Sequence, residues 1–267
     1  MPMHLIVVGA LGRMGKEIAR VALADSTVTL AGCVEVATHP DIGRDYGTLL
    51  GEKPLGVALC GDIVGLPITE SVIIDFSVAA NIDALLDKIA GRSTRVVIGT
   101  TGLSDASVQK IRGCARSIPV VFSPNYSLGV NLLFYLTEVA AARLKEFDLE
   151  VIEAHHHHKA DAPSGTARRI GEILAASRGL SYDKAVRNGR AGMVGARTRD
   201  EIGMHAVRGG DIAGDHTVLF AGAGERLELR HMAHSRAPLA QGAVHAAKWL
   251  ASQTPGLYSM RDVLGLL

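Results

Sequence analysis

The chain of 267 residues is 48% hydrophobic and 21% charged, with a formal net charge of +1. Such a length buries a substantial core in one large domain or two smaller ones, and the composition excludes a disordered chain. The balanced charge excludes the electrostatic footprint of a nucleic-acid or membrane-surface protein, while a local basic pocket stays open to it.

Residues 4–8 are apolar and β-branched, Gly9, Gly12 and Gly15 follow three apart, and residues 16–24 carry helical spacing through Ile18, Val21 and Ala22. The pattern predicts strand, glycine turn and helix. Glycines permit a tight turn and close approach of a pyrophosphate to the backbone, and a helix N-terminus stabilises its charge. The candidate contacts are Gly9, Ala10, Leu11, Gly12, Arg13 and Met14. The spacing G-x-x-G-x-x-G differs from G-x-G-x-x-G and is weak alone. A second strand over residues 28–34 ends at Glu35. An acid about 20 residues beyond the glycines is where a dinucleotide-binding unit holds the adenosine ribose. The bland alternative is a solvated strand-end residue; the preceding strand and turn favour the ribose role.

Residues 38–67 are glycine-rich and irregular, with one weak strand over 57–60. Strands are predicted at 72–76, 95–98 and 119–122, and helices at 78–90 and, capped by Ser104, to about residue 116. Alternating strands and helices imply a doubly wound parallel sheet whose ligands sit at the carboxyl ends of its strands. Gly99, Thr100 and Thr101 fall there, as do Ser123, Pro124, Asn125 and Tyr126. Their polar groups can bond ribose hydroxyls and a carboxamide, although threonine and asparagine are also ordinary turn residues.

A long apolar helix over 128–145 leads to an alternating strand over 147–153, then to Glu153-Ala154-His155-His156-His157-His158-Lys159-Ala160-Asp161-Ala162-Pro163-Ser164-Gly165-Thr166-Ala167. Imidazoles change charge near neutral pH, lysine adds a positive donor, and a helix opening at Gly165-Thr166 presents N–H groups to an anion. A small anion that must be protonated is the substrate this implies. After a helix over 166–177 and a Gly/Arg-rich stretch over 187–199, strands are predicted at 202–208, 216–221 and 226–232, and a helix at 239–251. Their short connections predict antiparallel pairing, and an open sheet face invites self-association.

Cys33, Cys60 and Cys114 are odd in number and lack metal-ligand spacing, as expected of reduced thiols in a cytoplasmic protein. Met1-Pro2-Met3 runs straight into a strand without a signal-peptide pattern. The uncharged residues 117–137 are interrupted by Pro119, Pro124, Asn125 and Gly129, which predicts strand, turn and helix rather than a membrane span. A zinc hydrolase built on the histidines is disfavoured, because consecutive residues do not converge on one ion and Lys159 opposes a cation, so no metal is expected. A nucleotide sensor without turnover needs neither the acid nor the lysine. His205, His216, His231 and His234 are expected to be structural, hydrogen-bonded histidines.

The run from Glu153 to Ala167 resembles the signature E-x-H-H-x-x-K-x-D-x-P-S-G-T-A of the 4-hydroxy-tetrahydrodipicolinate (dihydrodipicolinate) reductases, and G-x-x-G-R-M-G with its acid resembles their turn. The resemblance implies an α/β chain: an N-terminal Rossmann-like doubly wound parallel sheet plus an α+β substrate and oligomerisation domain with a mostly antiparallel sheet. It implies domains at 1–126 with 236–267 and at 127–235, hinged near Tyr126-Ser127 and Ser235-Arg236. It further implies reduction of a cyclic dicarboxylate by NADH or NADPH and a homotetramer. By resemblance, His155 is the general acid, Lys159 handles a proton and binds substrate, His156 contacts substrate, and Gly165 and Thr166 cradle its carboxylate. The G-T-T and asparagine loops surround the nicotinamide half. Family members that use NADPH well carry arginine after the ribose acid; Val36 stands there, which implies a leaning toward NADH, with Arg13 or Arg44 as other sources of charge. Glu153 and Asp161 either orient a histidine or form loop ion pairs.

Overall fold

The computed structural model describes residues 2–69 and 71–266. The N-terminal Met1 and the outermost residue of the expected first domain, 267, therefore lie outside the described residues. The elements in chain order are β1 (Met3–Val8), α1 (Arg13–Leu23), β2 (Val28–Val34), α2 (Tyr46–Leu50), β3 (Leu59–Cys60), β4 (Val72–Asp75), α3 (Ala79–Ile89), β5 (Arg95–Ile98), α4 (Asp105–Cys114) and β6 (Pro119–Phe122). They continue as α5 (Leu128–Arg143), β7 (Asp148–His155), α6 (Gly165–Ser177), α7 (Tyr182–Ala185), β8 (Val186–Asn188), β9 (Ile202–Arg208), β10 (Gly214–Gly222), β11 (Glu225–Ala233), α8 (Ala237–Leu250), β12 (Gly256–Tyr258) and α9 (Met260–Val263). The chain forms two compact units, Met1–Leu128 with Ala237–Leu267, and Gly129–Arg236.

The first unit holds a seven-stranded sheet in the order β12-β6-β5-β4-β1-β2-β3. Every pairing in it is parallel. Both faces are covered, so the strands read as continuous apolar runs rather than alternating ones. Leu5 and Val7 of β1 pack on one face with Ile18 of α1 and Ala243 and Ala247 of α8. Ile6 and Val8 pack on the other with Ile82 and Leu86 of α3 and Ile111 of α4. Each buried Leu, Ile or Val among them contributes about 1.5–3 kcal/mol. The chain leaves β1 for β2 on one side and later returns to β4 on the other, so the strand order reverses between β1 and β4. In this architecture that reversal opens a crevice at the carboxyl ends of the two strands.

The second unit holds a five-stranded sheet in the order β11-β10-β7-β9-β8. Leu149 and Val151 of β7, Ile202 and Met204 of β9, and Val218 and Phe220 of β10 pack against Ala167, Ile170 and Leu174 of α6. The opposite face carries Ile152, Val207 and Met232, each roughly half exposed.

This sheet is mixed, which corrects the expectation that its late strands pair antiparallel in sequence. β10 is antiparallel to β11 and to β7, but β9 does not pair with β10; it runs parallel to β7 and β8. The short Gly209–Gly210 connection arches over the end of β7 instead of forming a hairpin, with Gly209 N–H donating to His155 O. Central β7 thus takes both neighbours. The region expected to be irregular contains α2 and only a two-residue β3. The edge strands β8 and β12 are too short to carry a periodic signal.

Candidate active site

In the first unit the glycine turn closes under tight steric limits. Gly9 has φ +77, and a Cβ there would stand 2.7 Å from Phe76 O at the end of β4. A Cβ on Gly15 would stand 2.1 Å from Gly9 O, so this helix face must be bare. Gly9 and Ala10 N–H groups both donate to Val34 O, and the buried Tyr46 hydroxyl donates to Ala10 O at 2.6 Å. The turn leads into α1, whose N-cap Gly12 provides no side-chain cap and whose first residues are Arg13 and Met14. An anion is the complement of such a helix start. Glu35 leaves the end of β2 with one carboxylate oxygen accepting from Leu11 N–H and the other from Val36 N–H, each at 3.0 Å. Glu35, Val36, Gly9, Ser77, Asn81 and Lys88 line one pocket. A carboxylate, a bare glycine turn and an uncapped helix start fit a dinucleotide.

The loops after β5 and β6 are held from within. Thr100 is buried and donates to Asp75 Oδ2 at 2.6 Å, while Ser77 donates to Asp75 Oδ1 at 2.7 Å. Burial pushes the Asp75 carboxyl up, against the lowering effect of these two hydroxyls. A Cβ on Gly99 would strike the Phe76 ring at 2.2 Å. Tyr126 is buried, with its hydroxyl donating to Ile98 O at 2.8 Å. Ser123 Oγ donates to Asn125 O at 2.8 Å across Pro124. The hydroxyls of Thr100 and Tyr126 are thus engaged within the protein, whereas Thr101 is exposed. Asp75, which anchors the G-T-T loop, gave no motif signal.

In the second unit the end of β7 gathers the polar run. The strand period puts Glu153 and His155 on the face of Leu149 and Val151. Glu153 is fully buried. It accepts from Arg208 Nη1 and Nη2 at 2.8 Å each, meets His155 Nδ1 at 2.6 Å and accepts from Ser164 N–H at 3.0 Å. Burial pushes its carboxyl up, but the hydrogen bonds from Arg208, His155 and Ser164 outweigh that and hold it below its ordinary value. Lys159 donates to Asp161 at 2.8 and 3.0 Å, and this hydrogen bond lowers the exposed Asp161 carboxyl. Thus Glu153 touches a histidine and Asp161 the lysine.

Ser164 caps α6, its hydroxyl accepting from Ala167 N–H at 3.2 Å. The same hydroxyl meets His216 Nε2 at 3.0 Å. His216 is buried edge-on to His155, with ring centroids 5.2 Å apart. Burial, then the neighbouring His155, bring His216 down to about 3. His156 is half-buried and is lowered by desolvation and next by Arg236. His157 and His158 are exposed, their rings tilted against each other with centroids 3.8 Å apart. A Cβ on Gly165, the first residue of α6, would meet nothing within 4 Å, so the space beside that residue is open. Neither contact of Glu153 carries a motif signal: Arg208 is brought to it by the pairing of β9 with β7, and Ser164 by the loop that opens α6. Among the described residues no group of His, Cys, Asp and Glu could hold a metal ion, and no helix is long and apolar enough to cross a membrane.

Residues 3–126 match the family described as Dihydrodipicolinate reductase, N-terminus, and residues 129–264 match Dihydrodipicolinate reductase, C-terminus. A 4-hydroxy-tetrahydrodipicolinate reductase of Nitrosomonas europaea is 45% identical over 266 residues, covering 99% of this chain and 99% of that protein. One from Magnetococcus marinus is 47% identical, covering 97% of each. Among solved structures, the dipicolinate-bound dihydrodipicolinate reductase from Paenisporosarcina sp. TG-14 is similar in fold, with a TM-score of 0.78 at 24% identity over 100% of both chains.

Proposed function

The chain belongs to the dihydrodipicolinate reductase family, and from that premise we propose that it reduces 4-hydroxy-tetrahydrodipicolinate to tetrahydrodipicolinate with NAD(P)H, in lysine and diaminopimelate biosynthesis. What supports the reading most is the end of β7, where an imidazole on a buried carboxylate stands in the same run as a lysine and an open helix start.

The nicotinamide, when bound, supplies the hydride. Gly9 to Met14 and Glu35 hold the adenosine and pyrophosphate side of the cofactor, and the loops of Gly99 to Thr101 and Ser123 to Tyr126 hold the nicotinamide side. The substrate carboxylate rests on the N–H groups of Gly165 and Thr166, where the helix dipole favours negative charge. Lys159 binds the substrate as a cation. Its partner Asp161 is largely exposed, and an exposed ion pair is worth only about 0–1 kcal/mol, so a substrate carboxylate replaces it at small cost. His155 delivers the proton to the ring carbon beside the reduced one, and His156 contacts the substrate.

Val36 follows Glu35 and offers no charge to a 2′-phosphate. Arg44 is paired with Asp41 and Lys88 with Asp62, which supports NADH as the preferred cofactor with NADPH still accepted. The open face bearing Ile152, Val207 and Met232 supports self-association, as a homotetramer, and the cytoplasm is the expected compartment.

The test follows NADH and NADPH oxidation by purified protein, with substrate generated from pyruvate and aspartate semialdehyde. His155→Ala and Lys159→Ala should each lower kcat/KM by about 10²–10⁴ while cofactor binding persists. Wild-type turnover by either variant removes its assigned role.

A further inference from the structure

We propose that Glu153, clamped by Arg208, is the positioning residue for His155: it keeps a proton on Nδ1, so that Nε2 is the atom that gives up and regains the transferable proton. This rests on the reading of His155 as the proton donor.

A carboxylate with no access to water is costly unless its lone pairs are filled. Glu153 Oε2 accepts from Arg208 Nη1 and faces His155 Nδ1. Oε1 accepts from Arg208 Nη2 and Ser164 N–H. These partners belong to three separate elements, since Arg208 ends β9, Ser164 caps α6, and His155 ends β7. The carboxylate therefore cannot turn away without breaking contacts in three directions. Arg208 is fixed in turn, its nitrogens also donating to Val207 O at 2.7 Å and Asp161 O at 2.6 Å.

An ionised carboxylate only accepts, so the atom it meets at 2.6 Å must carry hydrogen. That assigns the neutral His155 tautomer as Nδ1–H. The opposite nitrogen, Nε2, lies 3.1 Å from where a Cβ on Gly214 would stand, so the bare glycine on β10 keeps bulk off it. The charged and titratable groups around His155 are Glu153 on its own strand, Arg208 from β9, His216 from β10, and His156 and Lys159 from the following loop. Arg208 cancels much of the charge that Glu153 presents, and His216 stays neutral. The contribution of Glu153 is therefore chiefly orientation and tautomer, which acts on the chemical step more than on substrate affinity.

The wild-type protein, labelled with ¹⁵N at histidine, tests this without turnover. His155 is assigned by the resonance lost in His155→Gln. In the neutral imidazole its Nδ1 should appear as the protonated nitrogen and Nε2 as the bare one. A bare Nδ1 overturns the proposal, even if Glu153→Gln fails to fold. Where Glu153→Gln folds, the proton should redistribute toward Nε2, kcat should fall about 10- to 100-fold, and KM should change less than about threefold. Unchanged kcat, or loss confined to KM, overturns it. Failure of the wild type to turn over would count against the reaction assigned to the chain, while the tautomer measurement would still decide the role of Glu153.

Discussion

Acid should destabilise this protein through His216, and the size of the effect follows from its surroundings. The folded imidazole is brought to about 3 by burial and by His155, against about 6.5 in an unfolded chain. Below 6.5 the unfolded state takes up a proton that the folded state refuses. Stability is therefore unaffected by this group above that pH and falls as pH drops through the window toward 3. The slope approaches ~1.4 kcal/mol per pH unit, so the loss is roughly 3 kcal/mol by pH 4. Glu153 acts in the same direction, since a carboxyl held low also loses its contribution as pH falls. The two are separated by His216→Gln, whose amide can donate to Ser164 Oγ without titrating. Urea unfolding followed by far-UV circular dichroism, at fixed protein concentration and at pH 7, 6, 5 and 4, gives both curves. Relative to wild type, the variant should gain roughly 3 kcal/mol between pH 7 and 4. Parallel curves would refute the claim that His216 is kept neutral by its burial.

Two further perturbations address the two ends of the proposed chemistry. Gly165→Val places a side chain in open space, so the melting temperature should hold while KM for the substrate rises about tenfold; an unchanged KM would remove the helix start from substrate binding. Val36→Arg should raise the NADPH-to-NADH ratio of kcat/KM about tenfold by pairing with the 2′-phosphate, and an unchanged ratio would move the discrimination elsewhere.

Much of this was legible in the sequence because some signals are local. Apolar runs between glycine turns gave the parallel sheet, and the cover on both faces of β1 explains why Leu5 to Val8 show no alternation. Alternation through Leu149, Val151 and Glu153 already places Glu153 and His155 on one face. Their partners were hidden because they depend on register: His155 lies opposite Arg208, and Glu153 lies opposite His216. No property of residues 202–216 read alone reports that β9 and β10 flank β7. The short connection between them suggested a hairpin, and the competing demand of β7 for two neighbours prevailed. In the same way, Tyr46 lies in a stretch without periodicity, yet it fastens the glycine turn through Ala10.

Ser164 has a consequence for how such a protein can change. Its hydroxyl starts α6 and meets His216, and its N–H reaches Glu153. The proposed anion cradle and the proposed proton donor thus share one mechanical joint. A substitution that shifts the cradle to admit a longer substrate also tilts the carboxylate that aims the imidazole. Effects of changes in the two parts should then fail to add. Retargeting such a pocket, whether by selection or by design, has to move both parts as a unit.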